Sequence, residues 1–159
     1  MIKYFGFALI LASAFILSRE YEKNQRKRLA ELAEFLRLFE HIKTKISCFL
    51  SPKSDWLSDF SSTLTGISEF IVSARSSSLA ESFEKSVDKL SLGDEREYVK
   101  SILSSLGRAY KNDEVALLED GISRLSAEKE RLSLECEKNI KTARVLAAAL
   151  GLGLVILLA

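Results

Sequence analysis

Residues able to do chemistry are sparse in this sequence. It has one histidine, His41, and two cysteines, Cys48 and Cys136. A zinc site draws three or four His, Cys or carboxylate ligands from short, regular spacings. One His and two scattered Cys, with no CxxC pair, do not offer that set. The cysteines read as small buried groups in a reducing compartment, not as a disulfide. A lone imidazole without an ordering partner makes a poor general base, and His41 falls off the apolar stripe of its own segment, which predicts an exposed, structural residue. Adjacent carboxylates occur at Asp94-Glu95 and Glu119-Asp120. They fit the charged face of a helix better than a general acid and base. There is no Gly-rich phosphate loop, no GxSxG and no HExxH. The reading is a protein that works by binding, with no enzymatic activity, no cofactor and no metal.

Composition narrows the partners. Lys and Arg number 23 against 22 Asp and Glu, a net charge of +1. A nucleic-acid protein carries a basic excess on one face, so no nucleic-acid partner is expected. The only proline is Pro52 and there are 7 glycines. Long stretches rich in Leu, Ala, Glu, Lys and Arg favour helix over strand.

The apolar residues that must position the rest concentrate at the two ends, "MIKYFGFALILASAFILS" and "VLAAALGLGLVILLA". As helices they extend ~27 Å and ~22 Å, and the second reaches ~30 Å if it starts at Ile140 with Lys141 and Arg144 snorkelling to the interface. Transmembrane helices are therefore expected over 1–18 and 145–159, the second beginning near 140, with a lipid bilayer as partner. A secretory signal is the rival for the first segment. Its small-residue "ASA" at 12–14 lies inside the apolar run, which favours a retained helix. Arg19, Lys23, Arg26, Lys27 and Arg28 follow the first segment, and Lys138, Lys141 and Arg144 precede the second. The positive-inside rule then puts 19–144 in the cytoplasm as one helical-bundle domain. Ala8 with Ala12, and Ala147 with Gly151, have the small-xxx-small spacing that lets helices approach in lipid. They would pack the two spans together or dock another membrane protein.

Between the ends, 19–50 holds no Gly or Pro and carries Leu29, Leu32, Leu36, Phe39, Ile42, Ile46 and Leu50 at three-four spacing, one stripe of a helix. Ser51 as N-cap and Pro52 at the first position predict a second helix bearing Trp56, Leu57, Phe60 and Leu64. Gly66 would interrupt it before Ile67, Phe70 and Ile71. Ser78 with Glu81, and Asp94 with Glu97, have capping-box spacing. The helix after Asp94 should stop near Gly107. A last helix, capped by Asn112 or Asp113, carries Leu118, Ile122, Leu125, Leu132, Cys136, Ile140 and Ala143 toward the second span. Segments 19–50 and 113–144 are equal in length, ~48 Å each as helix. The fold class is all-α: an antiparallel bundle of about six helices, two long ones continuing into the N- and C-terminal transmembrane helices.

Three stretches carry a resemblance: "MIKYFGFALILAS", "KISCFLSPKSDWLSDFSS", and "ILSSLGRAYKND" with the later "KTARVLAAALGLGLVILL". With them the chain resembles the stage III sporulation protein AB family over nearly its whole length. The resemblance implies a membrane component of the apparatus linking mother cell and forespore, on the mother-cell side. It also implies a soluble part similar to the cytoplasmic helical domains of the type II secretion platform protein. The partners implied are a secretion-type ATPase, stage III sporulation protein AA, and other channel components. "SPK" and "LGRAYKND" fall at the ends of the two long helices away from the apolar segments. Lys53, Arg108, Tyr110, Lys111 and Asp113 are thus either caps and turns or a tip presented to a partner. Two functions remain in view: a platform or adaptor subunit of a secretion-like channel, and a membrane-anchored coiled-coil scaffold acting by self-association. A homo-oligomer is compatible with both.

Overall fold

A computed structural model describes residues 2–49 and 52–158, with side chains described at most positions between 12 and 149. Among these every regular element is helical: α1 (Ile2–Phe49), α2 (Thr65–Ala74), α3 (Leu79–Ser86), α4 (Glu95–Ser105) and α5 (Lys111–Leu158), with 3-10 turns at Lys53–Asp55 and Val87–Lys89. Among the described residues there are five α-helices where about six were expected, because the helix predicted after Pro52 does not form. Among the described residues no helix is long and apolar enough to cross a membrane. The expected spans 1–18 and 145–159 lie largely outside the residues whose side chains are described.

The chain divides into two compact units, 28–130 and 1–27 with 131–159, and the long helices contribute to both. Within 28–130, α1 and α5 run antiparallel. Lys43 pairs with Glu119 at 3.4 Å, and Lys111 Nζ donates to the Ser47 carbonyl at 3.0 Å, so later positions on α1 meet earlier ones on α5. The stripe on α1 is wider than predicted. Leu32, Leu36, Phe39, Ile42 and Ile46 are buried as expected, and Phe35 and Leu38 are buried as well. Phe35 turns to the short helices, with ring centroids 6.0 Å from Phe70 and 5.8 Å from Phe83, which lie 6.1 Å from each other nearly edge to face. A helix covered on two sides needs an apolar arc broader than one stripe.

On α5, Leu118, Leu125, Leu132, Cys136 and Ile140 are buried. Gly121 lets α4 come close, since a Cβ there would lie 2.7 Å from Ile102 Cδ1. Cys136 is buried as read, whereas Cys48 is exposed, near the free end of α1. In the unit of 1–27 and 131–159, Ala12 is exposed and Leu134 is 67% exposed.

Residues 56–64 form a strap in place of the predicted helix. Its carbonyls are taken by distant side chains. Arg75 Nη2 donates to the carbonyls of Leu57 (3.2 Å), Ser58 (3.2 Å) and Phe60 (3.4 Å), and Arg37 donates to that of Ser61. Lys45 pairs with Asp59 at 2.6 Å. Ser58 Oγ donates to the Asp55 carbonyl at 2.9 Å, and Ser62 Oγ accepts from Leu64 N–H at 3.2 Å. Serine side chains compete with the helical ladder in this way. Gly66 sits inside the first turn of α2, where a Cβ would meet Leu90 Cδ2 at 2.9 Å, so it does not break a helix.

The Ser78 cap forms, its Oγ accepting from Glu81 N–H at 3.3 Å. The Asp94 cap does not: Asp94 has helical dihedrals and makes no capping bond. α4 ends at a glycine with φ 80°, Gly107, a left-handed stop open mainly to glycine. α5 then begins at Lys111, one and two positions ahead of the expected caps Asn112 and Asp113.

Candidate partner-binding tip

The end of α1, the 3-10 turn, the α4–α5 connection and the start of α5 meet at one end of the 28–130 unit. Helix ends leave carbonyls without intrahelical donors; Lys111 meets that need on α1, and Lys53 holds the turn that follows α4. Lys111 Nζ donates to Ser47 O on the last turn of α1, and Lys53 Nζ donates to Gly107 O. Lys53 and Lys111 are therefore stitches of the tip as well as exposed cations. Arg108 and Tyr110 are exposed, Tyr110 at 86%, and among the described residues the Arg108 guanidinium meets no carboxylate. Asp113 is exposed in the first turn of α5, where a negative charge favours the positive helix end. The structure thus brings Lys53, Arg108, Tyr110, Lys111 and Asp113 to one end. Ala8, Ala147 and Gly151 lie outside the residues whose side chains are described.

Beside this tip lies a cleft of about 260 Å³ between the strap, the end of α2, the start of α3 and the end of α4. Trp56, Leu57, Leu79 and Leu106 give it an apolar wall, and Lys53 and Arg108 stand on its rim. Four separated segments build it, so no single stretch of sequence announces it.

His41 is half-buried, not exposed as expected, with its ring centroid 5.4 Å from that of Phe60 and Nε2 buried without a hydrogen-bond partner. Burial holds its pKa below the ordinary 6.5, reinforced by Lys45 and Arg37 and opposed by Asp59. The carboxylate pairs are divided by the fold. Glu119 meets Lys43, while Asp120 meets Arg124 at 3.2 Å and accepts from Tyr98 OH at 3.3 Å. Partial burial of the Tyr98 phenol, with the Asp120 charge beside it, raises its pKa. Asp94 is exposed, but Glu95 is buried and accepts from Arg28 Nη2 at 2.6 Å, Arg28 Nε at 3.3 Å and Gly93 N–H at 3.0 Å. Glu31, 1% exposed, accepts from Ser91 N–H at 2.6 Å. Both buried glutamates pin the connection before α4 to α1. Sequence reasoning missed them, because in sequence they look like any other charge on a helical face. Among the described residues no three His, Cys, Asp or Glu side chains gather as a metal site would require.

A family model described as stage III sporulation protein AB (spore_III_AB) matches residues 3–159. No curated protein and no solved structure matches the chain.

Proposed function

This chain belongs to the stage III sporulation protein AB family, and from that premise we propose that it is a non-enzymatic membrane platform or adaptor subunit. The family supports a role in sporulation. The finer reading is a subunit of the secretion-like channel between mother cell and forespore, docking a cytoplasmic secretion-type ATPase. Its location in this reading is the cell membrane on the mother-cell side. The apolar segments 1–18 and 145–159 enter the lipid, and the charged helices between them stand in the cytoplasm. The basic flanks of both segments support that orientation.

The observation that carries the docking reading is the tip. Lys53, Arg108, Tyr110, Lys111 and Asp113 come together at one end of the 28–130 unit, where α1 ends and α5 begins, with their side chains exposed. Interfaces are rich in Arg and Tyr and take much of their energy from a few such residues. Two experiments test the reading. Replacing Lys53, Arg108, Tyr110 and Lys111 together by alanine should impair sporulation and recovery of the ATPase in pull-downs from solubilised membranes. Retention of both would remove the tip from the docking reading. Cysteines placed near each terminus and in the bundle should react with an impermeant maleimide in intact cells only near the termini. Labelling of the bundle would refute the orientation.

The second reading, a self-associating scaffold, is favoured by Leu134, a large apolar side chain left 67% exposed on α5 outside the segment assigned to lipid. It requires concentration-dependent dimerisation of the full chain in detergent with no other protein present.

A further inference from the structure

We infer that the cleft beside the tip is a protein-docking groove, whose occupant is a partner segment carrying a bulky apolar side chain next to a carboxylate. This deepens the adaptor reading and rests on it for the partner being a protein. Size is the first argument. Small-molecule sites enclose about 300–1,000 Å³, whereas this cleft holds about 260 Å³, room for one large side chain. Its wall of Trp56, Leu57, Leu79 and Leu106 suits an aliphatic or aromatic anchor.

Charge supplies the second argument. Both ionisable residues on the lining, Lys53 and Arg108, are cations. Lys53 gives one donor to Gly107 O and keeps other protons free, while among the described residues the Arg108 guanidinium faces no carboxylate. A guanidinium at the edge of an apolar cleft binds a carboxylate with two parallel hydrogen bonds. Such an Arg beside a desolvated pocket is the usual composition of an interface hot spot. Ser77 and Ser78, also on the lining, add hydroxyls for a partner's main chain.

The test uses the full chain in detergent micelles and a short fluorescein-labelled peptide with Leu between two Asp, read by fluorescence anisotropy. Binding should weaken at least about tenfold, or ~1.4 kcal/mol, when the two Asp become Lys or the Leu becomes Ser. Arg108→Glu, at an exposed position, and Ala80→Trp, which fills the cleft, should weaken it as much, with circular dichroism confirming an unchanged helix content. No binding by the unsubstituted chain, equal binding of the Lys peptide, or displacement of the peptide by phosphatidylglycerol vesicles would each overturn the inference. Pull-down of the ATPase by the same two variants separates the groove from the adaptor reading. Loss of both peptide and ATPase supports the groove. Retention of the ATPase with the peptide lost overturns the groove and leaves the adaptor reading standing.

Discussion

Replacing Arg28 by methionine keeps most of the side-chain stem and removes the guanidinium from Glu95. The Glu95 side chain is 3% exposed and that of Arg28 22%. After the change the carboxylate retains, among the described residues, the Gly93 N–H at 3.0 Å. Breaking a buried pair from one side costs about 3–5 kcal/mol, because a charge is left uncompensated. The partial exposure of Arg28 lets water reach the site and places the expectation near the lower bound, about 3 kcal/mol. For a chain of this size each kcal/mol lowers Tm by about 2–4 °C, so a fall of roughly 6–12 °C is expected. Adding Glu95→Gln removes the stranded charge while keeping an acceptor for Gly93. The double variant should recover about 2 kcal/mol of the loss, a non-additivity that only coupled groups show. Urea unfolding of the full chain in detergent, followed by circular dichroism, measures all three variants. If Arg28→Met costs under about 1 kcal/mol, or the double variant is simply the sum of the singles, the pair is not acting as a buried latch and the reasoning is refuted.

Two further outcomes follow from the same geometry. Gly107→Ala forces a Cβ into a left-handed residue with φ 80° and against the Lys53 side chain, and should cost about 1–2 kcal/mol in the same assay. His41 titrates below its ordinary 6.5 in the folded chain, so just below that pH the unfolded chain binds the extra proton. Stability should be full above pH 6.5 and fall as the pH drops through the window beneath it. His41→Phe, stacking on Phe60 in its place, should remove that component from a plot of urea midpoint against pH. An unchanged slope would show that His41 is not its source.

Much of the α5 seam was legible because Leu118, Leu125 and Leu132 repeat at the helical period and are all buried. The Ser78 cap was legible because cap and bond lie three residues apart. Phe35 and Leu38 were not, since the width of a buried arc depends on how many elements surround it. The strap was misread for a related reason. Ser51 and Pro52 are local helix-start signals, whereas Arg75, Arg37 and Lys45, which hold the strap, come from other elements. At the tip, matched segment lengths were enough to bring Lys53 and Lys111 to one end. Their bonds to Gly107 and Ser47 could not be read, because they join positions far apart in the chain.

The grip of Arg75 on the strap has a consequence for how this surface can change. Among the described residues the hydrogen bonds of the guanidinium go to main-chain oxygens of Leu57, Ser58 and Phe60, atoms that every amino acid carries. Exposed Ser58 lends Arg75 only its carbonyl, while its hydroxyl donates to the Asp55 carbonyl, so exchange for threonine, which keeps that donor, alters neither bond. A guanidinium bound to backbone in this way separates the shape of a surface from its chemistry, and leaves the chemistry free to follow a partner.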